Sequence, residues 1–256
     1  MSFEELLVIA TAVILGSVVK GTTGLGLPLT AVPVMASFVG IQDAVVIMSA
    51  PTAVSNAMLV REYRSEFRDN LGLASFAALG AVGAILGAWL LVRVEERILL
   101  LFLASALIAF LIWKFSAKEP RWSQRFQKVA RTPVAVTCGV AQGAIGISGP
   151  LVAAWFQGLG VPRERFVASN AAIFLLTGIS QLATLTIIGQ WSEFRIMAAL
   201  FACLVVAIAL PLGIRLGRRL NAERFDAAVT CVILSLIHIS EPTRRRGISY
   251  AVFCLK

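Results

Sequence analysis

The stretch that decides the fold is GSVVKGTTGLGLPLTAVP, residues 16–33. It places glycines, prolines and one lysine inside a long apolar segment, although glycine and proline are poor helix formers. Its core, KGTTGLGLPL (20–29), has a second copy, QGAIGISGPL (142–151), which begins 122 residues later. The two copies share both inner glycines, the proline and the final leucine without a gap. This pattern predicts two broken-helix hairpins at equivalent places in two halves of the chain.

The composition predicts an all-α polytopic integral membrane protein. The 256 residues are 58% hydrophobic and 14% charged, with a mean hydropathy of +0.85, whereas a soluble domain carries about 25% charged residues. Apolar runs of about 17–25 residues, long enough to cross a bilayer as helices, follow one another. They lack the alternation of a membrane barrel. The net charge of +9 is better explained by membrane orientation than by nucleic acid, so no nucleic-acid partner is expected.

The apolar segments beside the two glycine stretches are short. Residues 6–19 and 27–39 have 14 and 13 residues, too few to cross a hydrocarbon layer of about 30 Å comfortably. We therefore expect half-helices that turn at Gly21 to Gly26, and a second hairpin that begins at Thr132-Pro133 and turns at Gly143 to Gly149. Full spans are expected at about 44–60, 71–92, 97–114, 166–188, 195–214 and from 224 onward.

A second duplicated motif supports an internal repeat. The pattern GxxLGxxL occupies residues 83–90 and recurs at 213–220, and Glu-Arg follows both copies. The predicted organisation is two inverted repeats, each a hairpin plus about three transmembrane helices, or roughly eight spans. Its expected parts are a first transmembrane repeat (1–114), a basic linker (115–131) and a second transmembrane repeat (132–233).

The distribution of Lys and Arg predicts the orientation. The linker carries six basic residues, and counting spans from it places 15 Lys and Arg on its side and 3 on the other. Basic loops favour the cytoplasm, so we expect a multi-pass protein of the cell inner membrane with a cytoplasmic linker. The loop at 215–224 is also basic, and the two share a side only if the second hairpin returns to the side it left. The two halves would then be inserted upside down relative to each other.

The chemistry is expected where the two hairpin tips meet near the membrane midplane. Lys20 is a cation in an apolar segment, which costs roughly 2.5–3.5 kcal/mol and is typical of a functional position. Glycine turns followed by helix N-termini expose N–H groups that bind anions. The candidate substrate-binding residues are Lys20, Gly21, Thr22, Thr23, Gly24, Gly26, Gln142, Gly143, Gly146, Ser148, Gly149 and Asn170.

Structural alternatives exist for each of these features. The glycines are also compatible with close helix packing alone, and Lys20 with a side chain that reaches the membrane surface. The amides of Gln142 and Asn170 could pair with neighbouring helices. No nucleotide-binding glycine loop, metal-ligand spacing or nucleophile–base pair is apparent. We therefore expect no catalytic residue, metal or cofactor, and a protein that is not an enzyme.

The C-terminal segment has a different character. Residues 234–244, LSLIHISEPTR, resemble the translation of a widely used transposase sequencing adapter. We expect the natural reading frame to end near Ile233 and residues 234–256 to be a non-native tail. The chain's single histidine, His238, falls in this tail, so no chemistry is assigned to it.

The glycine-rich stretch at residues 20–33, its copy at 142–151 and the repeated GxxLGxxL motif together resemble the sulfite exporter TauE/SafE family. The resemblance covers about residues 5–230, and the last span departs from the pattern where the tail interrupts it. It implies an inner-membrane permease for small anions, of which sulfite and organosulfonates are the best-known substrates.

The leading hypothesis is export of a small anion by alternating access around the two glycine-rich tips. The expected partners are a small anionic substrate and the lipid bilayer, and the sequence is compatible with a coupling ion and with a homo-oligomer. The alternatives are a transporter or channel for another small solute, and a non-transporting membrane assembly protein.

Overall fold

The computed structural model describes residues 3–68, 72–116 and 121–217. All regular structure in these ranges is helical, which confirms the all-α part of the predicted fold class. The helices are α1 (Phe3–Thr23), α2 (Leu27–Val39), α3 (Ile41–Glu62), a short 3₁₀ helix (Arg64–Arg68), α4 (Leu73–Arg93), α5 (Glu96–Ser116), α6 (Gln124–Ile145), α7 (Gly149–Gly158), α8 (Arg163–Ile187) and α9 (Glu193–Gly217).

Five helices, α1, α3, α4, α8 and α9, are long and apolar enough to cross a membrane. The spans predicted at 44–60, 71–92, 97–114, 166–188 and 195–214 correspond to α3, α4, α5, α8 and α9. The span predicted from residue 224 onward and the tail at 234–256 lie outside the described residues.

The first hairpin consists of α1 and α2, and one prediction about it was wrong. α1 has 21 residues, or about 31 Å at 1.5 Å per residue, so it is not a half-helix. It continues through Gly21, whose missing side chain lets α1 lie directly against α9. A Cβ at this position would be 2.5 Å from the backbone nitrogen of Ile214. The turn begins only after Thr23, and α2 then starts with Pro28 in its first turn, as predicted.

The second hairpin consists of α6 and α7 and shows the same deviation. α6 begins at Gln124 rather than at Thr132, because the Ser123 hydroxyl accepts a hydrogen bond from the Phe126 N–H at 3.2 Å and caps the helix. Much of the predicted linker is therefore helical. α6 also continues through Gly143 to Ile145, so the turn is later than predicted. The ten-residue α7 is short and carries Pro150 in its first turn, as expected.

Two glycine-lined seams hold the hairpins to the rest of the bundle. In one seam, Gly83 and Gly87 of α4 lie against Gly139 and Gly143 of α6. In the other, Gly213 of α9 lies against Ser17 and Val18 of α1, and Gly217 lies against Thr22. In each seam the residue numbers of the contacting positions increase in the same direction along both helices, so the paired helices are parallel. The repeated GxxLGxxL motif thus supplies the same kind of contact to both hairpins.

Polar contacts join the helices at both ends of the bundle. At one end, the Arg195 guanidinium binds the Asp43 carboxylate at 2.6 Å, and the Ile41 N–H donates to Glu96 at 3.0 Å. At the opposite end, the Trp122 N–H donates to the Gly158 carbonyl at 2.8 Å. Also there, Arg163 at the start of α8 donates to the Thr22 carbonyl at 2.6 Å. This last contact fixes the C-terminal turn of α1, which carries Lys20.

Candidate functional site

The turns of the two hairpins meet inside the bundle. Gly24, Gly26 and Gly146 have φ angles of 79°, 117° and 70°, a region that residues with a side chain seldom adopt. The turns therefore require glycine at these three positions. A Cβ on Gly149 would lie 3.7 Å from the Leu25 side chain, which places the start of α7 against the turn of the first hairpin.

A small cavity of about 20 Å³ lies between the turns. Its walls come from both hairpins and from α3 and α8. The lining residues are Lys20, Leu25, Gly26, Pro28, Leu29, Thr52, Gln142, Gly146, Ile147, Ser148, Gly149 and Phe174. This volume is about that needed for a water molecule. A polyatomic anion therefore does not fit in this conformation, and binding it requires the hairpins to move apart.

Lys20 provides the positive charge of the cavity. Its side chain is only 2% exposed, so it does not reach the membrane surface. The ammonium donates a hydrogen bond of 2.6 Å to Oδ1 of Asn56 on α3. The Asn56 amide nitrogen donates in turn to the Thr52 carbonyl at 2.8 Å, which directs Oδ1 towards the lysine. The partner of Lys20 is thus a neutral amide, and among the described residues no carboxylate lines the cavity.

The equivalent position in the second hairpin is neutral. Gln142 replaces lysine there, and its Oε1 accepts a hydrogen bond of 3.0 Å from the Ser148 hydroxyl. Both residues belong to the same hairpin and both line the cavity. Gln181 of α8 donates to the Gly143 carbonyl at 3.1 Å and fixes α6 from outside the cavity. The second hairpin therefore contributes hydrogen-bonding groups without a formal charge.

Asn170 on α8 is an unsatisfied polar group. Its side chain is fully buried, and neither its amide nitrogen nor its amide oxygen has a hydrogen-bond partner. It lies three residues after Val167, which faces Gly24, and four before Phe174, which lines the cavity, so the three share a helix face. Leaving such a group unpaired costs about 1–3 kcal/mol. A ligand beside the first turn would be able to satisfy it.

The structure brings together six of the predicted residues as cavity lining, and these are Lys20, Gly26, Gln142, Gly146, Ser148 and Gly149. The remaining six lie around it. Gly21 and Gly143 face the backbones of α9 and α4, and Gly24 faces Val167. The Thr22 and Thr23 hydroxyls donate to backbone carbonyls of α1. For Gly21 and Gly143, the observed contacts agree with the alternative interpretation, in which the glycine allows close packing of two helices.

Sequence reasoning did not assign Asn56, Thr52 or Phe174 to the site. Asn56 is an amide in an apolar span, but nothing in the sequence shows that it lies beside a lysine 36 positions away. The only local feature that points to Asn56 is its position four residues after Thr52, where an amide can donate to the backbone carbonyl of that residue.

A comparison with known protein families identifies the family of the chain. Residues 8–238 match the family model described as Sulfite exporter TauE/SafE. The chain belongs to the sulfite exporter TauE/SafE family. No curated protein and no solved structure gives a significant match to it. Membership confirms the resemblance of the glycine-rich motifs and makes this TauE/SafE chain a multi-pass membrane protein of a transporter family.

Within this TauE/SafE chain, the cavity contains groups of the kinds that bind anions in proteins. It offers one buried ammonium, a hydroxyl and an amide in the second hairpin, and the N-terminal ends of α2 and α7. Helix N-termini supply free N–H donors to anions, and charge-assisted hydrogen bonds are stronger than neutral ones. Apolar side chains form much of the lining, and an apolar surrounding strengthens the electrostatic attraction between these groups and a negative charge.

Proposed function

We propose that the protein is a permease that carries a small anion, sulfite or an organosulfonate, through the membrane by alternating access. The observation that carries the proposal is Lys20, a buried cation in the wall of a cavity between two hairpin turns. The insertion of a lysine into an apolar interior is costly. A transported anion that pairs with the ammonium would offset this cost while it is bound.

The small volume of the cavity supports a moving site rather than an open pore. Its volume of about 20 Å³ excludes a polyatomic anion, so binding requires the two hairpins to separate. The Arg163 contact to the Thr22 carbonyl at one end and the Arg195–Asp43 pair at the other are contacts that such motions would break in turn. Access from one side at a time is the mechanism common to transporters built from paired repeats.

The equivalent seams of the two halves support the inverted-repeat part of the proposal. Gly83 and Gly87 contact α6 as Gly213 and Gly217 contact α1, and the helices are parallel in both cases. In the proposed topology the bundle end that contains Trp122, Gly158 and Arg163 faces the cytoplasm of a cell with an inner membrane. The opposite end, with Asp43 and Arg195, faces outward. Export is the direction that the family description suggests.

Flux measurements in proteoliposomes test the proposal. Purified protein is reconstituted into vesicles, and the vesicles are loaded with labelled sulfite. Efflux is compared with that from protein-free vesicles and from vesicles that also contain sulfate, taurine or methanesulfonate as competitors. We expect sulfite efflux to be faster than in protein-free vesicles and to be inhibited by at least one sulfonate. Absence of flux for every anion, or flux of cations or neutral solutes only, would contradict the proposal.

A further inference from the structure

We infer that the site selects monoanions over dianions, which rests on the proposed function and specifies the charge class of its substrate. The inference follows from the charge of the cavity wall. Lys20 is the only charged side chain among the cavity-lining residues that the structure describes. A bound anion with one negative charge therefore gives a neutral buried complex, whereas a dianion leaves one negative charge uncompensated.

The hydrogen-bond partner of Lys20 leaves this single positive charge uncancelled. Asn56 accepts the lysine hydrogen bond through a neutral amide at 2.6 Å, where an aspartate of almost the same shape would have cancelled the charge. Arg163 also contacts this hairpin, but it donates to the Thr22 carbonyl and does not line the cavity. The wall thus keeps one positive charge available for a ligand.

Helix dipoles do not add a second charge. The N-termini of α2 and α7 each carry about half a positive charge. At each turn, however, the negative C-terminal end of α1 or α6 lies only a few residues away, so the partial charges of each hairpin oppose one another. The free N–H groups still orient an anion, but the net charge remains that of Lys20.

The rest of the lining makes an uncompensated charge costly. Leu25, Leu29, Ile147 and Phe174 cover much of the wall, and a buried charge without a partner is strongly unfavourable. Of the remaining polar side chains, Gln142 and Ser148 already bind each other, and Thr52 offers only a neutral hydroxyl. They can reorient towards one oxygen of a ligand, but they supply no charge for a second.

Uptake of two labelled anions by proteoliposomes tests the inference. Methanesulfonate is a monoanion and sulfate a dianion of similar size, and both keep these charges at neutral pH. We expect methanesulfonate to be preferred in kcat/KM by at least about tenfold. Equal or preferred sulfate uptake overturns the inference but leaves the proposed function intact. Absence of flux for these anions and for sulfite overturns the proposed function and the inference with it.

Two variants at one position separate charge from shape. Gln142→Lys adds a second cation at the position equivalent to Lys20, and we expect it to shift the methanesulfonate-to-sulfate ratio towards sulfate by about tenfold or more. Gln142→Met has a similar size without charge, and should lower flux of both anions while it keeps their ratio. An unchanged ratio in a folded Gln142→Lys protein would contradict the inference. If Gln142→Lys does not fold, the ratio of methanesulfonate to sulfate uptake by the wild-type protein decides whether the inference holds.

Discussion

The two hairpins share a backbone design but differ in charge. Both turn on a left-handed glycine, both return through a helix with proline in its first turn, and both lie against a helix that carries the GxxLGxxL motif. In the first hairpin, however, Lys20 reaches across to Asn56 on α3, whereas in the second Gln142 binds Ser148 within its own hairpin. The comparison separates the groups that shape the site from the one that gives it charge.

Lys20→Met tests the charged hairpin and should have the largest effect on transport. It removes the only charged group that lines the cavity among the described residues and keeps an apolar side chain of similar length. Because hydrogen bonds to charged groups are worth about 1.5–3 kcal/mol, we expect export to fall roughly 10- to 100-fold. The measurement is sulfite efflux from cells, normalised to the abundance of the protein in the membrane.

The matched control is Lys128→Met, which removes an exposed lysine from the first turns of α6. It should leave export close to the wild-type value. If Lys20→Met exports as well as this control at equal abundance, Lys20 does not bind the substrate.

The seam beside the second hairpin is expected to be the more sensitive one to added volume. A Cβ at Gly87 would collide with the backbone of Val140 and Gly143 on α6. At Gly217 the nearest atom, Cα of Thr22, is 2.7 Å away. Since overpacking costs about 1–3 kcal/mol, Gly87→Ala should lower the midpoint of thermal unfolding in detergent, and more than Gly217→Ala does.

The control for this comparison is Gly178→Ala on α8. There an added Cβ would make only ordinary contacts of 3.9 Å with Ala53, and alanine favours a helix over glycine. The midpoint should stay the same or rise. A Gly87→Ala protein that is as stable as Gly178→Ala would show that the seam is not closely packed.

Asn56→Asp neutralises the charge that Lys20 of the first hairpin gives to the site, so that both hairpins would present a site wall without net charge. The new carboxylate would lie where Oδ1 is now, 2.6 Å from the ammonium, and would compete with the substrate for it. We expect KM for sulfite to rise about tenfold, with a smaller change in kcat. Asn56→Ser keeps the site positive, and its KM should remain within about threefold of the wild-type value. Equal KM values for the two variants would mean that Asn56 has only a structural role.

Ser148→Ala tests the neutral hairpin and should have the smallest effect. It removes the donor to Gln142 at 3.0 Å, and a neutral hydrogen bond contributes about 0.5–1.5 kcal/mol. Export should therefore fall by no more than about tenfold and by less than in Lys20→Met. A Ser148→Ala effect larger than that of Lys20→Met would reverse the proposed division between the hairpins.

Much of the fold could be predicted from local sequence. Glycine followed by proline in an apolar segment specifies a turn and a new helix start, and both hairpins have these at Pro28 and Pro150. The exact place of each turn could not be predicted, because Gly21 and Gly143 serve contacts with α9 and α4 instead. A glycine that forms a turn and a glycine that packs against another helix are indistinguishable in the sequence. Only the position of a distant helix distinguishes them.

The site was predictable to the extent that its groups lie in the duplicated motif. Lys20, Gln142 and Ser148 belong to that motif and line the cavity. Asn56, which fixes the lysine, lies on a helix outside both copies, and its role depends on how α3 packs beside α1. Thr22 and Thr23 belong to the motif, yet their hydroxyls donate to backbone carbonyls, a common use of threonine near a helix end.

Equilibrium binding of sulfite to the purified protein tests the central claim that the anion binds to Lys20 between the hairpin turns. Titration in detergent should give saturable binding for the wild-type protein and for Lys128→Met. Lys20→Met should bind at least about tenfold more weakly, while its midpoint of thermal unfolding is no lower than that of the wild-type protein. Wild-type affinity in a folded Lys20→Met protein would contradict the claim and place the anion site elsewhere in the molecule.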